Sequence, residues 1–260
     1  MNVVAITSVP ENREEAAGRL AKALGLSLYE ARQRLGPGAG LAGPVVVGAF
    51  AEKERAGELT EKLNQSGFET ILLTDEELQA EAGMPSAKGF ALGEGQLIIR
   101  LTDGGALSVP YTGIRLIIRG RKFGTSVRTE TKVEKKFDIT RAVLTQGMIL
   151  HKKQKTERDI TTMEHEGFAN LYCGGGLPPV ALLENRLLYD SLGPALKPVR
   201  AANFAYLVQE LRRRCPQARC DERLLNKLAY SSMLGPSLHL EKYPYAATAL
   251  LVKALLEQKQ

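Results

Sequence analysis

The stretch Gly25-Leu26-Ser27-Leu28-Tyr29-Glu30-Ala31-Arg32 constrains this chain most, because it ends one helical stripe and begins another almost at once. Upstream, Val3-Val4-Ala5-Ile6 reads as a short apolar strand ended by Pro10. Residues 13–24 then place Ala16, Ala17, Leu20, Ala23 and Leu24 on one helical face. Gly25 falls where a left-handed residue closes a helix, and Ser27 falls where a hydroxyl caps the next one through Leu28, Ala31 and Leu35. Gly36-Pro37-Gly38-Ala39-Gly40 stops that helix. Pro44-Val45-Val46-Val47-Gly48 is a strand by its β-branching. An amphipathic helix over 51–65 follows, with Ala56, Leu59 and Leu63 on one face. Gly67 caps it, and Phe68 to Leu73 is the last strand. The expected order over residues 1–73 is β-α-α-β-α-β.

With its words GLSLYEAR and AEKERAGELTEKLNQSGFETILL, this order resembles the C-terminal domain of the bacterial ribosomal stalk protein. The family pattern is a GLGLKEAK-like helix start, a helix ending in an Ala/Gly turn, and a terminal strand. The resemblance covers residues 1–73 and implies a small protein-binding α/β module. In that family, basic residues on the helix before the motif and at it contact translation factors. Three of those positions here are Gly18, Ala21 and Tyr29, and only Arg32 keeps a positive charge. The resemblance thus implies the fold and a general binding role, without the ribosomal one.

Residues 76–93 read as a linker, because acidic residues give way to Gly83, Pro85, Ser86 and Gly89. The expected division is a module over 1–75, this linker, and a mostly β domain over 94–260 closed by C-terminal helices. Gln96 to Leu101 and Ala106 to Val109 flank Thr102-Asp103-Gly104-Gly105, a hairpin turn in which Asp-Gly tolerates positive φ. The step from Tyr111 to Ile114 leads into RLIIRGR, and residues 94–120 resemble the start of bacterial pleckstrin-homology-like barrels. Further strands are expected at Phe137–Leu144, Met148–Leu150, Phe168–Tyr172 and Val180–Tyr189, the last equally readable in part as a short helix. HKKQKTERDITTMEHE between them is a long loop or two edge strands. Ala201 to Arg214 carries Phe204, Leu207, Val208 and Leu211 in one stripe. Asp221 is expected to cap a helix through Leu224, Leu225 and Leu228, and YAATALLVKALLE over 245–257 is the final helix. The fold class is α+β.

With 44% hydrophobic and 25% charged residues the composition is that of an ordinary globular chain, which argues against disorder. No apolar run approaches the ~20 residues of a membrane span. The N-terminus lacks a basic segment and turns acidic early, so the expected location is cytoplasmic. Cys173, Cys215 and Cys220 are too few and too odd in number for a disulfide framework. Cys215 and Cys220 have no second ligand pair at metal-site spacing among Cys173, His151, His165 and His239, so no metal is expected.

Charge is concentrated between Arg115 and Lys155, which hold twelve Lys or Arg against three acids in a chain of net charge +6. Such a face would attract phosphate backbones or anionic lipid. The plainer account comes first: strands with cationic outer positions that deter edge pairing. Phe123 and Phe137 are the only nearby aromatics, too few to argue for base stacking. The candidate binding residues are Arg119, Arg121, Lys122, Lys135 and Lys136. Arg212-Arg213-Arg214 would join them only if its helix end lies beside this segment. Cys173-Gly174-Gly175-Gly176 would suit a thiol nucleophile beside backbone N–H donors, with His165 as base, but reads first as a tight turn. No phosphate-binding glycine loop, His-Glu-x-x-His pattern or nucleophile elbow is present. The expectation is a regulatory or adaptor protein, not an enzyme, without cofactor, that binds a protein partner. The alternatives are a nucleic-acid or ribosome-associated factor using the basic segment, and a thiol enzyme built on Cys173.

Overall fold

The computed structural model describes residues 1–8, 12–35, 43–137, 151–236, 238, 243 and 245–256, with side chains at 123–165 and at position 8 left aside. It is a mixed α+β structure whose chain divides into two compact units, residues 1–122 with 166–260, and residues 123–165.

The first unit begins with β1 (Asn2–Ser8), α1 (Arg13–Leu24), α2 (Leu28–Arg34), β2 (Val45–Phe50), α3 (Lys53–Gln65) and β3 (Glu69–Leu73), the expected order. Local chemistry sets the helix ends. Asn12 accepts from the Glu15 amide to start α1, and Gly25 ends it at φ 67°. Ser27 and Glu30 then form a reciprocal capping box at α2. The sheet is antiparallel, in the order β2-β1-β3. Val4, Ile6, Val45 and Val47 bury one face against Ala16, Ala17, Leu20, Ala31 and Leu63 of the three helices.

The alternate residues Val3, Ala5, Val46, Ile71 and Leu73 are also buried, and register places Val3 opposite Leu73 and Ala5 opposite both Val46 and Ile71. Two helices from the end of the chain close this second face. They are α6 (Lys227–Leu234), packed on β2, and α7 (Ala246–Leu256), packed on β3. The end of α6 comes so near β2 that a Cβ on Gly235 would stand 3.0 Å from the Val46 carbonyl oxygen. The expected separation into 1–75 and 94–260 is therefore corrected. A sheet buried on both faces needs both sets of helices, and they come from opposite ends of the sequence.

The expected linker is corrected too. Thr74 and Glu77 form a capping box that starts α4 (Asp75–Ala82), and β4 (Ala87–Leu92) follows within the same stretch. β4, β5 (Gln96–Leu101) and β6 (Ala106–Pro110) make an antiparallel meander, turning through Gly104 at φ 94° as anticipated. The second sheet has the order β10-β7-β8-β9: β7 (Ile114–Phe137), β8 (His151–Cys173), β9 (Val180–Leu183) and β10 (Arg219–Leu224). Among the described residues only isolated bridges, Ser86 to Ala181 and Gly89 to Leu188, connect the two sheets, so they form no closed barrel. α5 (Arg200–Arg214) packs Phe204, Leu207, Val208 and Leu211 into one core with Ile99, Ile117, Leu171 and Leu182 of the two sheets.

Three smaller expectations also change. β9 ends at Leu183, short of Tyr189. The expected cap Asp221 lies inside β10, paired in parallel with Ile118 of β7; ladder pairing overrides its local preference, and Asn226 caps α6 instead. HKKQKTERDITTMEHE, expected as a long loop or two edge strands, is part of one continuous strand, β8, whose pairing with β9 is confined to Phe168–Leu171. In the second unit, 123–137 and 151–165 are strand; the strands expected at Phe137–Leu144 and Met148–Leu150 lie outside the described residues beyond Phe137. No helix among the described residues is long and apolar enough to cross a membrane.

Candidate functional site

The N-terminal module leaves a groove of about 460 Å³ where the α1–α2 turn, β2 and α3 meet. Its floor is Ala23 and Leu24 at the end of α1, Leu26 in the turn, Val47 and Phe50 of β2, and Leu59 of α3. Gly48 makes this floor possible. A Cβ there would stand 2.7 Å from the Phe50 ring and 3.0 Å from Leu59, so its absence lets the ring fold back over the strand. Leu24, Leu26, Phe50 and Leu59 are only partly buried, leaving apolar surface uncovered. The rim is cationic. Arg34 comes from α2, and Arg55 and Lys62 from α3, with Glu58 the one acid among the lining residues. Arg34 donates through Nη1 to the Val47 carbonyl on the edge strand β2. Arg55 is ion-paired with Glu52 at 2.8 Å, both side chains being exposed. Lys62 has no ion-pair partner among the described residues. On the neighbouring helix start, Leu28 and Tyr29 are 42% and 67% exposed.

The structure describes the side chains of three of the five basic candidates, Arg119, Arg121 and Lys122. Arg119 is ion-paired with Glu222 of β10 at 3.2 Å. Arg121 and Lys122 are exposed on β7, while the side chains of Lys135 and Lys136 lie outside the described residues. The end of α5 does come beside this strand, because Arg212 reaches the same Glu222 oxygen, also at 3.2 Å. Its neighbours are held elsewhere. Arg213 and Arg214 both pair with Glu210. Arg214 also donates to the Gly93 carbonyl at 2.6 Å and lies over the Tyr111 ring. Much of the cation density near α5 is thus internal structure.

Cys173 sits at the end of β8, and its glycines make the tight turn expected, with Gly175 and Gly176 at φ 71° and 77°. Burial pushes the Cys173 thiol up, the opposite of what a nucleophilic thiolate needs. Burial raises Cys220 as well, and Cys215 to about 11. The side chain of His165 lies outside the described residues. Among the described residues no group of Cys, His, Asp or Glu is placed to hold a metal.

A polar cluster that sequence reasoning missed lies on α4. Glu81 Oε1 accepts from the Tyr172 hydroxyl at 2.6 Å and from Asn170 Nδ2 at 3.2 Å. No cation faces it among the described residues. Burial pushes its carboxyl up to about 7, outweighing the two hydrogen bonds that favour the ionised form. One helical turn earlier, Glu77 meets Lys253 of α7 at 2.5 Å. Burial opposes ionisation there too, but the Lys253 contact and the Thr74 cap outweigh it, and the carboxyl stays below its usual range. The two acids line a hollow of about 180 Å³ with Leu73, Ala249, Val252, Lys253 and Leu256. The one sequence signal for this helix was Thr74-x-x-Glu77 ahead of Leu78; nothing in sequence marked which β residue would meet Glu81.

In comparison with known proteins, the chain matches no family model, no curated protein and no solved structure.

Proposed function

We propose that this protein is a non-catalytic regulatory or adaptor protein, and that its N-terminal module holds another protein in the groove between α2, β2 and α3. The observation that carries this reading is the groove itself, whose partly exposed apolar floor lies on a module otherwise packed on both faces of its sheet. Contiguous uncovered apolar surface rimmed by polar groups marks interaction sites on folded domains. The capping box at Ser27 and Glu30 fixes the backbone of the helix start that carries exposed Leu28 and Tyr29, so no backbone ordering is left to a binding partner there. The β-α-α-β-α-β order and the stalk-domain resemblance of residues 1–73 support a binding module as well.

The test is affinity capture with the full chain in three forms: wild type, Leu26→Glu and Lys62→Glu, with bound proteins quantified by mass spectrometry. A partner retained by wild type and depleted severalfold by both substitutions, at unchanged thermal midpoints, is the expected result. An identical set of captured proteins for all three forms would overturn the reading.

A further inference from the structure

We infer that the occupant of this groove is a short protein segment presenting one or two bulky apolar side chains flanked by Asp or Glu. The inference rests on the binding role proposed above and adds the partner's chemistry. Three observations lead to it.

The first is charge. Among the lining residues Arg34, Arg55 and Lys62 stand against one acid, Glu58, with Arg34 supplied by α2 and Arg55 and Lys62 by α3. Arg55 and Lys62 lie seven residues apart on α3, two turns on one face, with Leu59 between them. A segment lying across Leu59 therefore passes a cation at each end. A basic segment would meet like charge at both.

The second is the state of those cations. Lys62 has no ion-pair partner among the described residues. Arg55 is held only by the exposed Glu52, in a solvent-screened pair that a better-placed carboxylate can displace. Arg34 commits Nη1 to Val47, but a guanidinium has five N–H donors in a fixed fork, so the remaining ones can still take a carboxylate.

The third concerns how the segment is held. β2 is the edge of its sheet, and the Val47 carbonyl on it already accepts from Arg34. A partner cannot use that acceptor to add a strand there, which blunts the edge in the way natural sheets avoid edge pairing. Recognition goes through side chains instead, with apolar anchors on Leu24, Leu26, Phe50 and Leu59 and acids at the rim. The volume of about 460 Å³ falls within the about 300–1,000 Å³ typical of ligand pockets.

The experiment uses the full-length chain and three fluorescein-labelled peptides: Glu-Glu-Glu-Phe-Leu-Glu-Glu-Glu, the same with Lys in place of Glu, and the acidic form with Ala-Ala in place of Phe-Leu. Anisotropy at low salt should show the first binding about tenfold or more tighter than either counterpart, as two or three weak ion pairs together allow. The preference should shrink as salt rises. Lys62→Glu should remove most of it, and backbone amide shifts should change at Leu24, Leu26, Phe50 and Leu59. Equal binding of the acidic and basic peptides, or shifts elsewhere, overturns the inference. If Lys62→Glu and Leu26→Glu still deplete a captured protein while the peptides show no preference, the acidic chemistry is wrong and the groove remains the binding site. If capture is unaffected as well, both fall.

Discussion

The two faces of the N-terminal sheet are buried to the same degree by helices of different origin. Facing α1–α3, Val4, Ile6, Val45 and Val47 meet side chains from the same 73 residues, in a layer of apolar groups. On the other face, Val3, Ala5, Val46, Ile71 and Leu73 are covered by α6 and α7, more than 150 residues later in the chain. Beside this face, where α4 and α7 flank β3, stand the polar contacts of Glu77 and Glu81. The first face is a local unit whose geometry adjacent caps and turns dictate. The second is a long-range closure, and it brings residues 1–122 and 166–260 into one compact unit.

The sharpest way to break that comparison is to open the second face. Leu251 of α7 is fully buried. Leu251→Asp places an unpaired carboxylate there and should cost about 5 kcal/mol or more, enough to unfold a domain of ordinary stability. The milder Leu251→Ala should cost about 3 kcal/mol through lost contacts and a residual cavity. Amide hydrogen exchange decides the point. If the faces are one cooperative unit, Leu251→Ala accelerates exchange at Val4 and Ile6 as well as within α7. Unchanged protection across α1 and β1 would mean that the first face stands alone.

This difference between faces also marks what could be read in the sequence. Helical stripes, the Gly25 turn and the Ser27 cap act over a few residues, and they located α1, α2 and α3 to within a residue or two. The Asp103-Gly104 hairpin was legible for the same reason. Pairings made at long range were not. The unbroken apolar runs at Val3–Ile6 and Val45–Val47 lack the alternation of a one-sided sheet, which signals burial on both faces, yet nothing in them names the covering helices. Composition made 76–93 look like a linker because acidic residues and glycines suit surface helices and strand starts equally. At the candidate site, Leu26 and the α2 helix start belonged to a recognised motif. The grouping of Arg34, Arg55 and Lys62 depends on how α2 and α3 dock on β2, which no spacing reveals. Glu81 stayed hidden because its partners Asn170 and Tyr172 lie about ninety residues away on β8.

A second test compares the carboxyls on α4 by pH. Glu81 has a folded-state pKa raised to about 7 from an ordinary 4.5, so the folded protein holds this proton more tightly than the unfolded chain. For such a group stability falls as pH rises from about 4.5 towards 7 and is level above that, with a total loss of about 3 kcal/mol. Glu81→Gln retains an oxygen to accept from Tyr172 and removes the titration. Its stability relative to wild type should therefore rise by about 3 kcal/mol between pH 4.5 and 8 in denaturant unfolding series. A constant difference across that range would show that Glu81 ionises freely.

The smallest expected effect sits one turn away and carries the opposite sign. Glu77 has its pKa held below 4.5 despite burial, chiefly by Lys253, so its contribution is present above about pH 4.5 and is lost as pH falls through the lower folded value. The pair is partly exposed, with Glu77 at 38% and Lys253 at 19%, so solvent screens much of the attraction. Lys253→Met keeps most of the apolar stem that packs in the hollow and removes the charge. The expected cost is below about 1 kcal/mol near pH 7, shrinking towards zero at pH 3 and in high salt. Measured beside Glu81→Gln, the two pH profiles should slope in opposite directions from residues four apart on one helix. Profiles of the same sign would mean that α4 does not meet α7 and β8 as separately as the geometry places it. The comparison of a locally closed face with a distantly closed one would then lose its polar half.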